Sequence, residues 1–374
     1  MFALLAACGA NEPAPVAPSA PLPDKSPAPT NGPAAHGATQ IDCGDLHTCA
    51  LMADGSTRCW GRNAGGELGD GSTVDRGKPV LVDGVQGAIG IAMGTTFSCA
   101  LMADKTVRCW GTGRILGDGK QREKVPPTQV PGIAGGEEMR ASGLLACVRF
   151  SSGGVRCWGL EGDARRHATS DDVPDLGRAA EIAAASVHAC ARTISGSVRC
   201  WGDLGWAAGS EQAMARPSIP DARQLVTGDD FTCAVTTAET VKCWGRNDEG
   251  QLGVAPNDDV QTSPIEIPGI AGAVRLAAGE GQACAMLKDG TVRCWGANPE
   301  GELGLGTRST TELPQVALKG LFSVREVCIG SVHACARTSD GAVYCWGSNQ
   351  AGQIGDGTRE RRLAPTRVSG LGER

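Results

Sequence analysis

Beyond residue 38 the apolar positions come in short runs, each closed by Gly, Asp or Pro. The stretch from residue 324 shows the pattern in full. Val324 to Val327 leads into Gly330, and His333-Ala334-Cys335-Ala336 follows. Asp340-Gly341 makes a turn before Val343-Tyr344-Cys345-Trp346-Gly347. A Gly-rich segment, Gly352 to Gly357, then precedes Pro365-Thr366-Arg367-Val368. Runs this short, bounded by turn formers, predict four strands and no helix.

The pattern repeats. Cys-Trp-Gly occurs seven times, with its Cys at 59, 109, 157, 200, 243, 294 and 345. Another Cys stands ten residues before each, at 49, 99, 147, 190, 233, 284 and 335. The units run over about 41–88, 89–136, 137–179, 180–222, 223–273, 274–323 and 324–374. A four-stranded unit of this length is a propeller blade. The expected fold is therefore all-β: a seven-bladed β-propeller of four-stranded antiparallel blades over residues 39–374.

Several motifs recur in fixed order. They are His-Thr-Cys-Ala-Leu at 47–51, Cys-Trp-Gly in every unit, Asn63 through Gly69, and Pro-x-x-Val at 79–82, 127–130 and 365–368. Over residues 41–374 this resembles the regulator of chromosome condensation repeat family. That resemblance implies a seven-bladed propeller. It also implies a binding role, since eukaryotic members are exchange factors for a small nuclear GTPase and bind nucleosomes, and a secreted bacterial member inhibits β-lactamases. Units three and four lack the Gly-Gln-Leu-Gly segment after Trp158 and Trp201, which puts their outer strands and loops in doubt.

The hairpin from Cys49 to Cys59 fixes what its cysteines can do. Ala53-Asp54-Gly55 suits a three-residue loop with Gly in the left-handed position. Counting back from Met52 and Ser56 sets Cys49 opposite Cys59. Opposed residues of antiparallel strands are about 4.5–5.5 Å apart at Cα, within reach of a disulfide. Disulfides Cys49–Cys59, Cys99–Cys109, Cys147–Cys157, Cys190–Cys200, Cys233–Cys243, Cys284–Cys294 and Cys335–Cys345 are expected. Buried free thiols are the alternative in a reducing compartment. Two ligands per hairpin are too few for zinc. Cys43 and Cys328, in units one and seven, become neighbours if the ring closes, so a ring-closing disulfide is possible. The repeated Trp is expected between blades, where it buries a large area. His47, His188 and His333 share a slot with Phe97, Leu145, Phe231 and Gln282, which points to packing and not to catalysis or metal binding.

The N-terminal region differs in kind. Leu5-Ala6-Ala7-Cys8 resembles a bacterial lipobox with Cys8 as the lipidation site, although the run is short and has no basic flank. A plain apolar start is the alternative. Residues 9–38 hold eight Pro and eight Ala. Such a segment cannot bury enough apolar surface to fold, and is expected to be a disordered tether of at most ~90 Å. Residues 1–8 are read as a partial signal, and the protein as exported and anchored at the cell envelope.

Charge narrows the partners. Net charge is -6, which argues against nucleic acid. The Gly-Asp-Gly segments at 69–71, 117–119 and 355–357 lack the spacing of a calcium loop, and Asp171-Asp172 and Asp229-Asp230 show no catalytic partner pattern. No cofactor, metal or catalytic residue is expected. A monomeric, protein-binding scaffold is the leading reading. An enzyme inhibitor acting through one face is the alternative, and a propeller hydrolase or lyase comes last. The irregular units supply Arg165, Arg166 and Trp206 as candidate binding residues, Trp206 being the one Trp outside the repeat motif.

Overall fold

The computed structural model describes residues 37–159, 171–186, 188–202, 210–215, 219–314 and 316–371. Cys8, the stretch 9–36, Arg165, Arg166 and Trp206 lie outside the described residues.

The described residues form seven four-stranded antiparallel sheets, each built from consecutive strands. The first contains β1 (Ala38–Cys43), β2 (His47–Met52), β3 (Thr57–Gly61) and β4 (Arg76–Leu81). The inner strands of blades 2 to 7 begin at Ala88, Gly136, Ala179, Ala222, Ala273 and Val324. Successive inner strands contact one another, blade 7 meets blade 1, and together they line a central cavity. The doubtful outer strands of blades 3 and 4 exist, but the former is only Asp171–Asp172.

Both faces of each sheet pack on neighbours, which removes the usual alternation of buried and exposed residues. All six residues of β2 are buried, as are those of Phe97–Met102, Phe231–Thr236 and Gln282–Leu287. All seven repeat Trp residues are at most 1 % exposed.

The hairpin register explains the cysteine spacing. The Met52 N–H donates to the Ser56 carbonyl, making 52 and 56 a hydrogen-bonded pair. Alternation makes Cys49 and Cys59 a non-hydrogen-bonded pair, the closer kind. They are bonded, with Cα atoms 4.1 Å apart. The same link joins the other six hairpins, at Cα separations of 4.0–4.1 Å. Gly55, at φ 77°, turns the loop, and the Asp54 carboxylate accepts the Ser56 N–H.

Because every blade is contiguous in sequence, no exchanged strand closes the ring. The seam between blades 7 and 1 is closed by cross-blade bonds. Ile41 N–H donates to Glu326 at 3.0 Å, Trp60 Nε1 to the Gln353 carbonyl at 2.9 Å, and Ala38 N–H to the Gly341 carbonyl at 3.0 Å. Cys43 is bonded to Cys328, with Cα atoms 5.5 Å apart and a sequence separation of 285.

Candidate functional site

The central cavity, about 220 Å³, is the natural place to look for function. Its narrow mouth has a simple cause. At the end of the inner strands lie Gly44, Gly94, Gly143, Gly228, Gly279 and Gly330, with Ala185 in blade 4. A Cβ on Gly44 would strike the Gly94 carbonyl, and one on Gly330 the Gly44 carbonyl. Hydrogen at this position lets adjacent blades meet backbone to backbone.

The next residue of each blade occupies the rim position: Asp45, Thr95, Leu144, Ser186, Asp229, Glu280 and Ser331, of which all but Thr95 and Leu144 line the cavity. Hydroxyls brace the acids. Ser186 Oγ donates to Asp229 at 2.5 Å and Ser331 Oγ to Glu280 at 2.6 Å. Burial pushes the Asp45 carboxyl above its usual range, opposed by a hydrogen bond from Thr95, while nearby Asp229 adds to the push. Burial also leads at Glu280, with Ser331 opposing and Asp229 and Asp45 reinforcing it. Negative charge is thus gathered where blades 5, 6 and 1 face one another.

Deeper in the channel, inner-strand side chains clasp the next blade. The Gln40 amide donates to the Ile91 carbonyl at 3.0 Å and accepts the Ile91 N–H at 3.1 Å. Gln224 does the same with Leu276, at 3.1 and 2.9 Å. Where the clasp is Glu, it accepts only: Glu181 from Leu225 N–H at 3.2 Å, and Glu326 from Ile41 N–H. The opposed residue on the second strand follows suit. It is Leu51 or Val235 beside Gln, but Arg149, Arg192 or Arg337 beside Glu138, Glu181 or Glu326. The Arg–Glu ion pairs measure 2.9, 3.3 and 3.0 Å. A buried carboxylate requires a counter-charge, whereas a neutral amide does not. Even so, burial outweighs Arg192 and raises Glu181 to about 7. Asp42, whose carboxylate accepts Met93 N–H at 2.8 Å, is also raised to about 7 by burial.

The histidine slot obeys a similar rule. His47 Nε2 meets Ser98 Oγ of the next blade at 2.9 Å, and His333 Nε2 meets Thr48 Oγ1 at 2.7 Å. Where the slot holds Phe97, Leu145, Phe231 or Gln282, the next blade places Ala146, Ala189, Ala283 or Ala334 there. Burial lowers His47 to about 3 and His333 to about 4, keeping both neutral. These rings stand between blades, and the backbone of Asp45 lies beside the His333 ring.

Each repeat Trp looks to the preceding blade. Trp110 donates to the Glu67 carbonyl, Trp158 to Ile115, Trp295 to Gln251 and Trp346 to Glu302, at 2.6–3.0 Å. Trp201 and Trp244 follow the two shortened units, and among the described residues their buried indole N–H groups find no acceptor. The accepting loop is itself pinned by an asparagine: Asn63 Oδ1 accepts Leu68 N–H, and Asn247, Asn298 and Asn349 repeat this. The Gly-Asp-Gly acids organise turns. Asp70 holds Asn63, Ser72 and Arg76, and Asp356 holds Thr358 and Arg362.

Cys43, His333 and Cys335 bring one Sγ, one ring nitrogen and one Sγ within 4.8 Å of one another, the one such trio among the described residues. Both sulfurs are committed to disulfides, which leaves a single nitrogen for any metal. The rim acids are what sequence reading missed. Asp229-Asp230 looked unpartnered along the chain, but Asp229 meets Ser186 and lies near Asp45 and Glu280 around the ring. Aligning the repeats on the inner-strand glycine would have exposed the set.

Comparison with known proteins agrees with this architecture. The curated relatives include the ultraviolet-B receptor UVR8 of Arabidopsis thaliana, 36 % identical over 129 residues, 33 % of this chain and 29 % of that protein. The human E3 ubiquitin-protein ligase HERC2 is 34 % identical over 128 residues, 33 % of this chain and 3 % of that protein. The chain spans less than a third of the length of these relatives. Among solved structures, Prp20p of Saccharomyces cerevisiae superposes with a TM-score of 0.74 at 21 % identity, covering 83 % of this chain and 85 % of that one. Human WBSCR16 gives 0.71 at 20 % identity, covering 84 % and 94 %. The regulator of chromosome condensation (RCC1) repeat matches residues 54–101, 241–286, 289–337 and 340–374, and a second profile of that repeat matches 38–67, 222–251, 273–302 and 324–353. With more than half of its length matched, and with the blades and seams just described, this chain belongs to the regulator of chromosome condensation repeat family.

Proposed function

We propose that this chain is an exported, lipid-anchored scaffold that binds a protein partner through the rim of its central channel. The observation that carries the reading is the contrast between frame and rim. Seven buried Trp residues and seven hairpin disulfides are invariant from blade to blade, whereas the residue after the inner-strand glycine is acidic, hydroxylic or apolar by turns. Variation on a constant frame is where a repeat protein places specificity. Prp20p, of like fold, binds Gsp1p and histones. Eight disulfides suit an oxidising compartment, and the Leu5-Ala6-Ala7-Cys8 segment supplies a lipidation site for an envelope protein. The rim acids are braced by hydroxyls, and burial keeps His47 and His333 neutral, so the arrangement favours recognition over acid–base chemistry.

Crosslinking of the full-length chain in envelope extract tests this. Wild type should capture a discrete partner that Asp45→Asn/Asp229→Asn/Glu280→Gln loses while keeping its thermal transition. Equal capture by both, or none by wild type, would refute the rim as the binding surface. Fatty-acid labelling that is indifferent to Cys8→Ser would remove the anchor.

A further inference from the structure

We propose that the Cys43–Cys328 disulfide is a thiol–disulfide exchange site, opened through the central channel by a small neutral or cationic thiol while the seven hairpin disulfides stay closed. Of the eight disulfides, this is the one whose cysteines line the central cavity. Cys43 is 9 % exposed and Cys328 6 %, while each of the fourteen hairpin cysteines is 0 or 1 % exposed. Exchange requires in-line access to a sulfur, so solvent reach separates this disulfide from the rest. It is also the one link between blades, closing 285 residues where each hairpin link closes ten.

The channel selects the reagent. Asp42, adjacent to Cys43, and the rim acids Asp45, Asp229 and Glu280 line the approach, with Arg140 and Arg275 as the opposing charges. An acid-rich opening concentrates cations and repels anions, an effect that salt weakens.

The chemistry balances without further components. A thiolate attacks Sγ of Cys43 or Cys328, the S–S bond breaks, and the other cysteine leaves as a thiolate that takes a proton from solvent. A second thiol attacks the mixed disulfide and releases the small-molecule disulfide. Two thiols are oxidised and one protein disulfide is reduced. The same small disulfide, in excess, recloses the latch. Opening leaves the blade 7–1 seam to its hydrogen bonds, Ile41 to Glu326, Thr48 to His333 and Trp60 to Gln353.

The test uses the full-length protein at pH 8 and low salt, with cysteamine or 2-mercaptoethanesulfonate as reductant. New thiols are trapped with iodoacetamide and located by peptide mass spectrometry. Each rate is normalised to that thiol's rate with a small uncharged disulfide. The first label should appear at Cys43 and Cys328, with the fourteen hairpin cysteines unlabelled. Cysteamine should be faster by about tenfold, and the gap should close in 0.5 M salt. Four results would overturn the proposal: label spread evenly over all sixteen cysteines, hairpin label appearing first, Cys43 and Cys328 alkylated before any reductant is added, or equal normalised rates for the two thiols.

Discussion

The seam between blades 4 and 5 and the seam between blades 5 and 6 hold equivalent strands together with different chemistry. At the 5–6 seam the neutral Gln224 amide both donates to and accepts from Leu276, beside apolar Val235, and Trp295 donates to the Gln251 carbonyl. At the 4–5 seam Glu181 accepts a single N–H from Leu225 and depends on Arg192, and the indole N–H of Trp244 has no acceptor among the described residues. The first seam lies within the sector matched by the family repeat, whereas the second borders the unmatched residues 102–221. An amide satisfies a backbone pair by itself. A carboxylate leaves the carbonyl unserved and brings a charge that a third residue must offset. The 4–5 seam therefore rests on more interdependent parts than the 5–6 seam.

The largest expected effect breaks that dependence. Arg192→Leu strands the Glu181 carboxylate and should cost about 3 kcal/mol in urea unfolding at about pH 9, where Glu181 is ionised and no longer holds a proton. Glu181→Gln/Arg192→Leu rebuilds the amide-and-apolar arrangement of the 5–6 seam and should recover to within about 1 kcal/mol of wild type. A double variant no better than Arg192→Leu alone would refute the equivalence of the two clasps.

A pH series sharpens the same contrast. The folded-state value of Glu181 is raised from 4.5 to about 7. Between those values the folded chain holds a proton that the unfolded chain releases. Its contribution is complete below pH 4.5 and is lost as pH rises through 7. Relative to Glu181→Gln, wild type should lose on the order of 2 kcal/mol between pH 5 and pH 8. Asp42 is raised in both proteins and drops out of the difference. A stability difference independent of pH would show that Glu181 keeps an ordinary carboxylate pKa.

The tryptophans give the smallest effect. Trp295→Phe orphans the Gln251 carbonyl, whereas Trp244→Phe removes a donor that has no acceptor among the described residues. The former should be costlier by about 1 kcal/mol in unfolding experiments run side by side. Equal costs would mean that the indole hydrogen bond adds nothing at the regular seam.

Much of this architecture was legible along the chain. The ten-residue Cys spacing, the Asp-Gly turns and Cys-Trp-Gly led to four strands per unit, seven units and interblade Trp, because hairpin register is a local property. The rim was not legible. Asp45, Asp229 and Glu280 are far apart in sequence and carry no motif, and their meeting depends on inner strands converging at the glycines. The Glu–Arg and Gln–apolar clasps were present as pairs eleven residues apart, such as Glu181 and Arg192. Their meaning appeared only when the next blade's N–H was in place. Arg165, Arg166 and Trp206 stand out along the chain by irregularity alone and lie outside the described residues.

Sequence by itself determined the blade, since turn chemistry, strand pairing and the cysteine pair all act within about fifty residues. Tertiary structure alone decided the seams and the channel. Which carboxylates are buried, which disulfide borders the cavity and which carbonyl an indole reaches each depend on a neighbouring blade, and the last seam joins the two ends of the described chain. Contacts of that kind are fixed by ring geometry, and no local pattern of residues encodes them.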